Sequence, residues 1–188
     1  MTAPVSSQRK KIHPHKFTLW VAIASIIMMF AGLTSAYLVK GSLPGWAAIE
    51  VPKLFYYSTA ILLLSSITLQ LGLKQFKERQ RQRYQQFMGI TLILGAAFLV
   101  LQVMGFQQLY QAGIKMEGSG AGQFLYIIFG LHGLHVAGGV IALLVMFLQT
   151  FSSRFRNYNP VPLEVMSTYW HFVDLLWIYL FVFFLMKL

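Results

Sequence analysis

Five long apolar runs, at 17–39, 54–73, 87–106, 124–151 and 169–186, alternate with short polar and basic stretches along this chain. A helix needs about 20 largely apolar residues to cross a bilayer core, and each run meets that length. The pattern predicts an all-α membrane protein with five transmembrane helices in a bundle. Almost nothing is left over for a soluble domain, so 1–188 is expected to form a single membrane domain with a basic tail at 1–16. The fourth run exceeds what a perpendicular span requires, which predicts that it tilts or projects beyond the bilayer. The polar start leads into an apolar run too long for a signal peptide, so the first helix is expected to stay as an anchor.

Composition agrees with the pattern: 57% of residues are hydrophobic and only 11% charged, far from the balance of a soluble domain. Lys and Arg then set an orientation. Arg9, Lys10, Lys11 and Lys16, the loop residues Lys74, Lys77, Arg79, Arg81 and Arg83, and Arg154 with Arg156 all fall on one side. The other side holds Lys40, Lys53, Lys115 and Lys187. This asymmetry predicts a cytoplasmic N-terminus and an external, periplasmic C-terminus.

The net charge of +10 raises the question of nucleic acid. The basic run from Lys74 to Arg83 lies between two spans, however, where basic loops are an ordinary topology signal and attract anionic headgroups. No nucleic-acid partner is expected. Membrane phospholipid is, with Arg154, Arg156, Lys74 and Lys77 as headgroup candidates. There are no cysteines, which excludes disulfides, iron–sulfur clusters and thiolate chemistry from this chain.

Two segments carry polar groups inside the spans. In the fourth, His132 and His135 sit among Gly130, Gly133, Gly138 and Gly139. Small residues let membrane helices approach closely, and histidines three apart can hydrogen-bond a neighbouring helix. Metal or haem ligation is the sharper reading, yet the spans offer only these two histidines and His171, so no metal site is expected. In the last span, His171 and Asp174 share a helical face where ionisable groups are expensive. A register-fixing polar pair is favoured over a proton relay, because the first three spans contain no Asp or Glu and this chain alone lacks a transmembrane proton path.

The segment Tyr169-Trp170-His171-Phe172-Val173-Asp174, followed by an apolar pair and Trp177, resembles the last helix of cytochrome c oxidase subunit III. Glu164 matches that pattern's preceding Glu. His132-Gly133-Leu134-His135-Val136 with Gly138 resembles a second family motif, and Phe30, Gly32, Ala36, Tyr37 and Lys40 a third. The likeness covers nearly the whole chain. Five spans correspond to the short bacterial form lacking the first two helices of larger members. One departure is clear: where the family commonly carries an acidic residue in a Ser-Glu-x-Met context, this chain reads Ser25-Ile26-Ile27-Met28.

The resemblance implies a subunit with no catalytic residue, cofactor or metal of its own. Its partners would be oxidase subunits I and II, which hold haem and copper, together with phospholipid. A quinol–cytochrome c reductase would be a further neighbour in a supercomplex. The complex would reduce oxygen to water and translocate protons in the aerobic respiratory chain of the bacterial plasma membrane. This subunit would stabilise the catalytic one, bind lipid and support proton uptake. A quinol oxidase subunit and the accessory protein of nitric oxide reductase are the related alternatives, and a free-standing membrane enzyme or transporter the distant one.

Overall fold

The computed structural model describes residues 14–41, 52–114, 120–151 and 160–187. They form five helices: α1 (Pro14–Gly41), α2 (Leu54–Lys77), α3 (Arg81–Gln111), α4 (Gly120–Gln149) and α5 (Val161–Lys187). All five are long and apolar enough to cross a membrane. Most extend past the apolar runs, because the hydrogen-bonded ladder continues through polar flanks such as Arg81 to Gln86 and Gln107 to Gln111. The fourth instead stops at Gln149, two residues short of the run, with Thr150 and Phe151 in a turn.

The backbone of the bundle is the hairpin of α2 and α3. The buried positions of α2 are Phe55, Ser58, Leu62, Ser65, Leu69, Gly72 and Phe76. Those of α3, from Tyr84 to Leu109, follow the same alternation of three- and four-residue steps. That is the heptad seam of a left-handed coiled coil, in which each side chain enters a hole on the facing helix. Three contacts fix a single antiparallel register, symmetric about Gln80. The Phe55 ring covers Gly105, Gln102 Nε2 donates to Ser58 Oγ at 3.4 Å, and Phe76 meets Tyr84 edge-on at 5.1 Å. At the first two of these contacts a large residue faces a small one, which lets the two backbones approach.

Both ends of this hairpin are closed by the same device. At the end of α2, Gln80 N–H donates to Gln75 O and Arg79 N–H to Phe76 O, with Arg79 at φ 59°. After α3, Ile114 N–H donates to Leu109 O and Gly113 N–H to Tyr110 O, with Gly113 at φ 84°. These crossed bonds satisfy carbonyls that the helix ends leave open, and they require one left-handed residue each. Glycine supplies it without strain at position 113, whereas Arg79 accepts the crowding of a Cβ.

On this hairpin α5 packs against α2 and α4, while α1 packs against α4 and α5. The core is strongly aromatic, with Phe30, Phe55, Phe98, Phe129, Trp170 and Trp177 all essentially inaccessible. Trp170 shows how the layers lock. A Cβ on Gly95 of α3 would stand 2.9 Å from its Cη2 and one on Gly139 of α4 would stand 3.0 Å from its Cζ3. Its indole N–H donates to Ser65 Oγ of α2 at 3.1 Å, so one side chain ties four helices.

Candidate functional site

The chemistry-bearing residues gather along α5, in three levels. At its first turn, Glu164 Oε2 pairs with Lys16 Nζ of α1 and Oε1 with Lys77 Nζ of α2, both at 3.0 Å. A carboxylate at a helix start and a lysine at a helix end each suit the local peptide dipoles. Lys77 is thus engaged within the chain. Lys74 is exposed, and Arg154 and Arg156 lie outside the described residues.

Below this clamp a groove of about 440 Å³ opens between α1, α2 and α5, lined in part by Lys16, Gln70, Glu164, Ser167, Thr168 and His171. Here a hydrogen-bonded chain runs into the protein. Ser167 Oγ donates to Gln70 Oε1 at 3.4 Å, His171 Nε2 lies 3.1 Å from the same oxygen, and His171 Nδ1 lies 2.5 Å from Ser66 Oγ. Ser66 also stands beside Asp174, outside hydrogen-bonding geometry. Asp174 is only 4% exposed, and neither carboxylate oxygen has a hydrogen-bond partner among the described residues.

The third level is apolar in everything but composition. His132 of α4 is fully buried, stacked on Trp177 at 5.0 Å with 30° between planes, and edge-on to Phe30 and Phe98. The Trp177 indole N–H donates to Thr59 Oγ1 at 2.9 Å. Among the described residues neither ring nitrogen of His132 has a hydrogen-bond partner.

Several expectations change at this point. Among the described residues, hydrogen bonding by the His132 and His135 rings to a neighbouring helix is not seen: His132 has no partner there, and His135 Nδ1 meets Leu131 O of its own helix at 2.7 Å. The interhelical bond at that level is Tyr169 O–H to the His135 carbonyl. The four glycines divide between the inside and the outside of this chain. Gly139 contacts α5, but a Cβ on Gly130, Gly133 or Gly138 would meet nothing within 4 Å. They lie toward the outside of this chain, while the tight glycines inside it are Gly95 and Gly105. His171 finds the partners on another helix that a register-fixing pair needs; Asp174 does not.

Ser66 and Gln70 were not singled out by the sequence reading, although Ser65, Ser66 and Gln70 interrupt the second apolar run at helical spacing. Among the described residues no three His, Asp or Glu side chains converge as a metal site would require.

The family model of cytochrome c oxidase subunit III matches residues 14–187. This chain belongs to that family. It is similar to a probable cytochrome c oxidase subunit 3 of Nocardia farcinica, 33% identical over 95% of this chain and 93% of the relative. It is also similar to cytochrome c oxidase subunit 3 of Bacillus sp. strain PS3, at 32% over 86% of this chain and 80% of the relative. A cytochrome bo(3) ubiquinol oxidase subunit 3 of Pseudomonas aeruginosa is 30% identical over 88% of this chain and 81% of the relative.

Proposed function

We propose that this chain is the cofactor-free third membrane subunit of a haem-copper oxidase in a bacterial plasma membrane, supporting oxygen reduction and proton translocation carried out by its partners. The observation that carries this reading is the family match across 14–187, which spans all five helices. The buried polar residues fit a supporting role: His132 is used as a packing ring, Trp170 and Trp177 as locks between helices. Large apolar side chains remain on the outside, including Ile93, Leu134 and Ile141 at 69%, 69% and 61% exposure. In a bilayer such faces meet lipid or protein, and the open glycines of α4 allow another helix close approach. Subunits I and II are the partners proposed, with the N-terminus cytoplasmic by the distribution of Lys and Arg.

Lipid belongs to the same proposal. Arg154, Arg156 and Lys74 carry the headgroup contacts, each basic residue near an anionic surface gaining about 1 kcal/mol. An Arg154→Ala, Arg156→Ala double variant is expected to retain less phospholipid through detergent washing; equal retention would count against those residues.

The deciding experiment purifies the oxidase with and without this chain. The haem spectrum should be unchanged by its loss, while activity decays sooner during turnover. An altered haem spectrum, or a chain that purifies as a stable monomer with no haem protein attached, would overturn the reading. The Pseudomonas aeruginosa relative supports one alternative, a complex fed by quinol rather than cytochrome c. Testing both donors on the purified complex separates them.

A further inference from the structure

We propose that the groove between α1, α4 and α5 receives one membrane-spanning helix of a partner subunit, and that this helix donates a hydrogen bond to His135 Nε2. Valence at the imidazole sets the requirement. His135 Nδ1 lies 2.7 Å from Leu131 O, and a carbonyl oxygen can only accept, so Nδ1 carries the hydrogen. In the neutral ring Nε2 is then a bare acceptor. It bonds to nothing among the described residues, yet it is not one of the side-chain atoms sealed inside them. His135 stands in the middle of α4, Gly120–Gln149, at a bilayer depth where neither water nor a lipid tail offers a donor.

The same stripe of α4 lines the groove. Steps of three and four residues carry it from His135 through Gly138 and Ala142 to Val145. Leu19 of α1 and Val165 of α5 line the other walls, and the groove holds about 580 Å³. Among the described residues its only polar lining side chain is Tyr169, whose hydroxyl is already engaged, donating to the His135 carbonyl at 3.0 Å. A Cβ on Gly138 would meet nothing within 4 Å, so a neighbouring backbone can come close one turn from His135. The result is an apolar seat with one open acceptor a turn beyond its end.

Three occupants suit an apolar seat, and the acceptor chooses among them. A lipid tail fills the groove but leaves Nε2 without a donor, at the cost that an unsatisfied polar group carries in hydrocarbon. A second copy of this chain, docked through the same face, brings a second acceptor against the first. A foreign helix with an apolar stripe and one hydroxyl, amide or indole N–H opposite His135 satisfies both demands. Phe30 backs the imidazole edge-on at 5.9 Å, so the ring is oriented before a partner arrives. This docking rests on the chain being one subunit of a larger membrane complex, as in the function proposed for it.

p-Benzoylphenylalanine in place of Val145, activated by light in the purified complex, tests the occupant. Mass spectrometry of the product should identify a spanning helix of a partner subunit that carries a hydrogen-bond donor. His135→Phe keeps a ring and removes the acceptor, so it should raise the rate of subunit loss in detergent about threefold to twentyfold, the range typical of hydrogen bonds between spanning helices. Replacing the partner's donor by alanine should have the same effect and add nothing to His135→Phe. Where His135→Phe fails to assemble, Gly138→Leu decides: its side chain enters open space in this chain and fills the seat, so the cross-link should disappear. A missing cross-link, one confined to phospholipid or to a second copy, one that survives Gly138→Leu, or unchanged retention of His135→Phe would overturn the proposal. Haem in the cross-linked complex reports separately on the oxidase assignment: a partner helix captured in a complex without haem would leave the docking intact and sink that assignment.

Discussion

Replacing Gly95 by alanine adds one methyl group at one of the tightest points of the bundle. The new Cβ would lie 2.9 Å from Trp170 Cη2 and 3.1 Å from Val140 Cγ2, about 0.5 Å short of ordinary contact with the indole. The ring has little room to yield. Gly139 crowds its other edge, and the bond to Ser65 fixes its tilt. Overpacking of this kind typically costs about 1–3 kcal/mol. The usual gain in helix propensity from Gly to Ala offsets less of this than in water, because a span is already helical before it packs. Gly130→Ala is the control, since its Cβ enters open space in this chain, and it should stay within about 0.5 kcal/mol of wild type. Heat-induced loss of the subunit from the purified complex, followed by gel, reads both. A double-mutant cycle with Trp170→Phe isolates the clash, and Gly95→Ala should be milder in the smaller-ring background. Equal stability of Gly95→Ala and Gly130→Ala would refute the reasoning, as would a cycle with no coupling.

Other substitutions probe the remaining levels. His132→Phe keeps the stacked ring and removes two unpartnered nitrogens, so it should leave stability unchanged or raise it by about 1 kcal/mol in the same assay; a fall of that size would reveal a polar partner. Glu164→Gln should free the start of α1 and the end of α2, raising their amide exchange and costing no more than about 1 kcal/mol, because both ion pairs are partly exposed. High salt should shrink that difference. Gly113→Ala should cost about 1–2 kcal/mol through its left-handed backbone, read by thermal unfolding, whereas Arg79→Gly should be neutral or stabilising at the equivalent position of the other turn.

The spans were legible because the bilayer imposes a minimum apolar length that composition cannot hide. What faces what was harder to read. The heptad seam of α2 and α3 is written in Ser58, Ser65, Gly72, Gly95 and Gly105 as much as in leucines, and in a span those small residues stand among apolar neighbours on every side. Hydropathy carries no phase there. Glycine spacing was ambiguous for the same reason: Gly130 and Gly133 have the spacing of a contact face, but spacing does not say whether the contact belongs to this chain. His171 and Asp174 were found as costly groups, and their shared face was correct. Their unequal satisfaction depended on Ser66 and Gln70, which only the packing of α2 against α5 brings to them.

The hairpin symmetric about Gln80 has a consequence for how the bundle is made. α2 and α3 are joined by the short turn of Glu78, Arg79 and Gln80 and bury a continuous seam in each other, so their pairing demands little loop closure. α1 has no such neighbour in sequence; the helices it packs against are α4 and α5, both synthesised after the hairpin. A chain emerging from the ribosome can therefore complete its central hairpin while the first span still waits in lipid. Assembly should proceed from the middle outward, with the first helix released by the ribosome among the last to be docked. Truncation after α3 should leave the hairpin protected from exchange and α1 free to diffuse away from it.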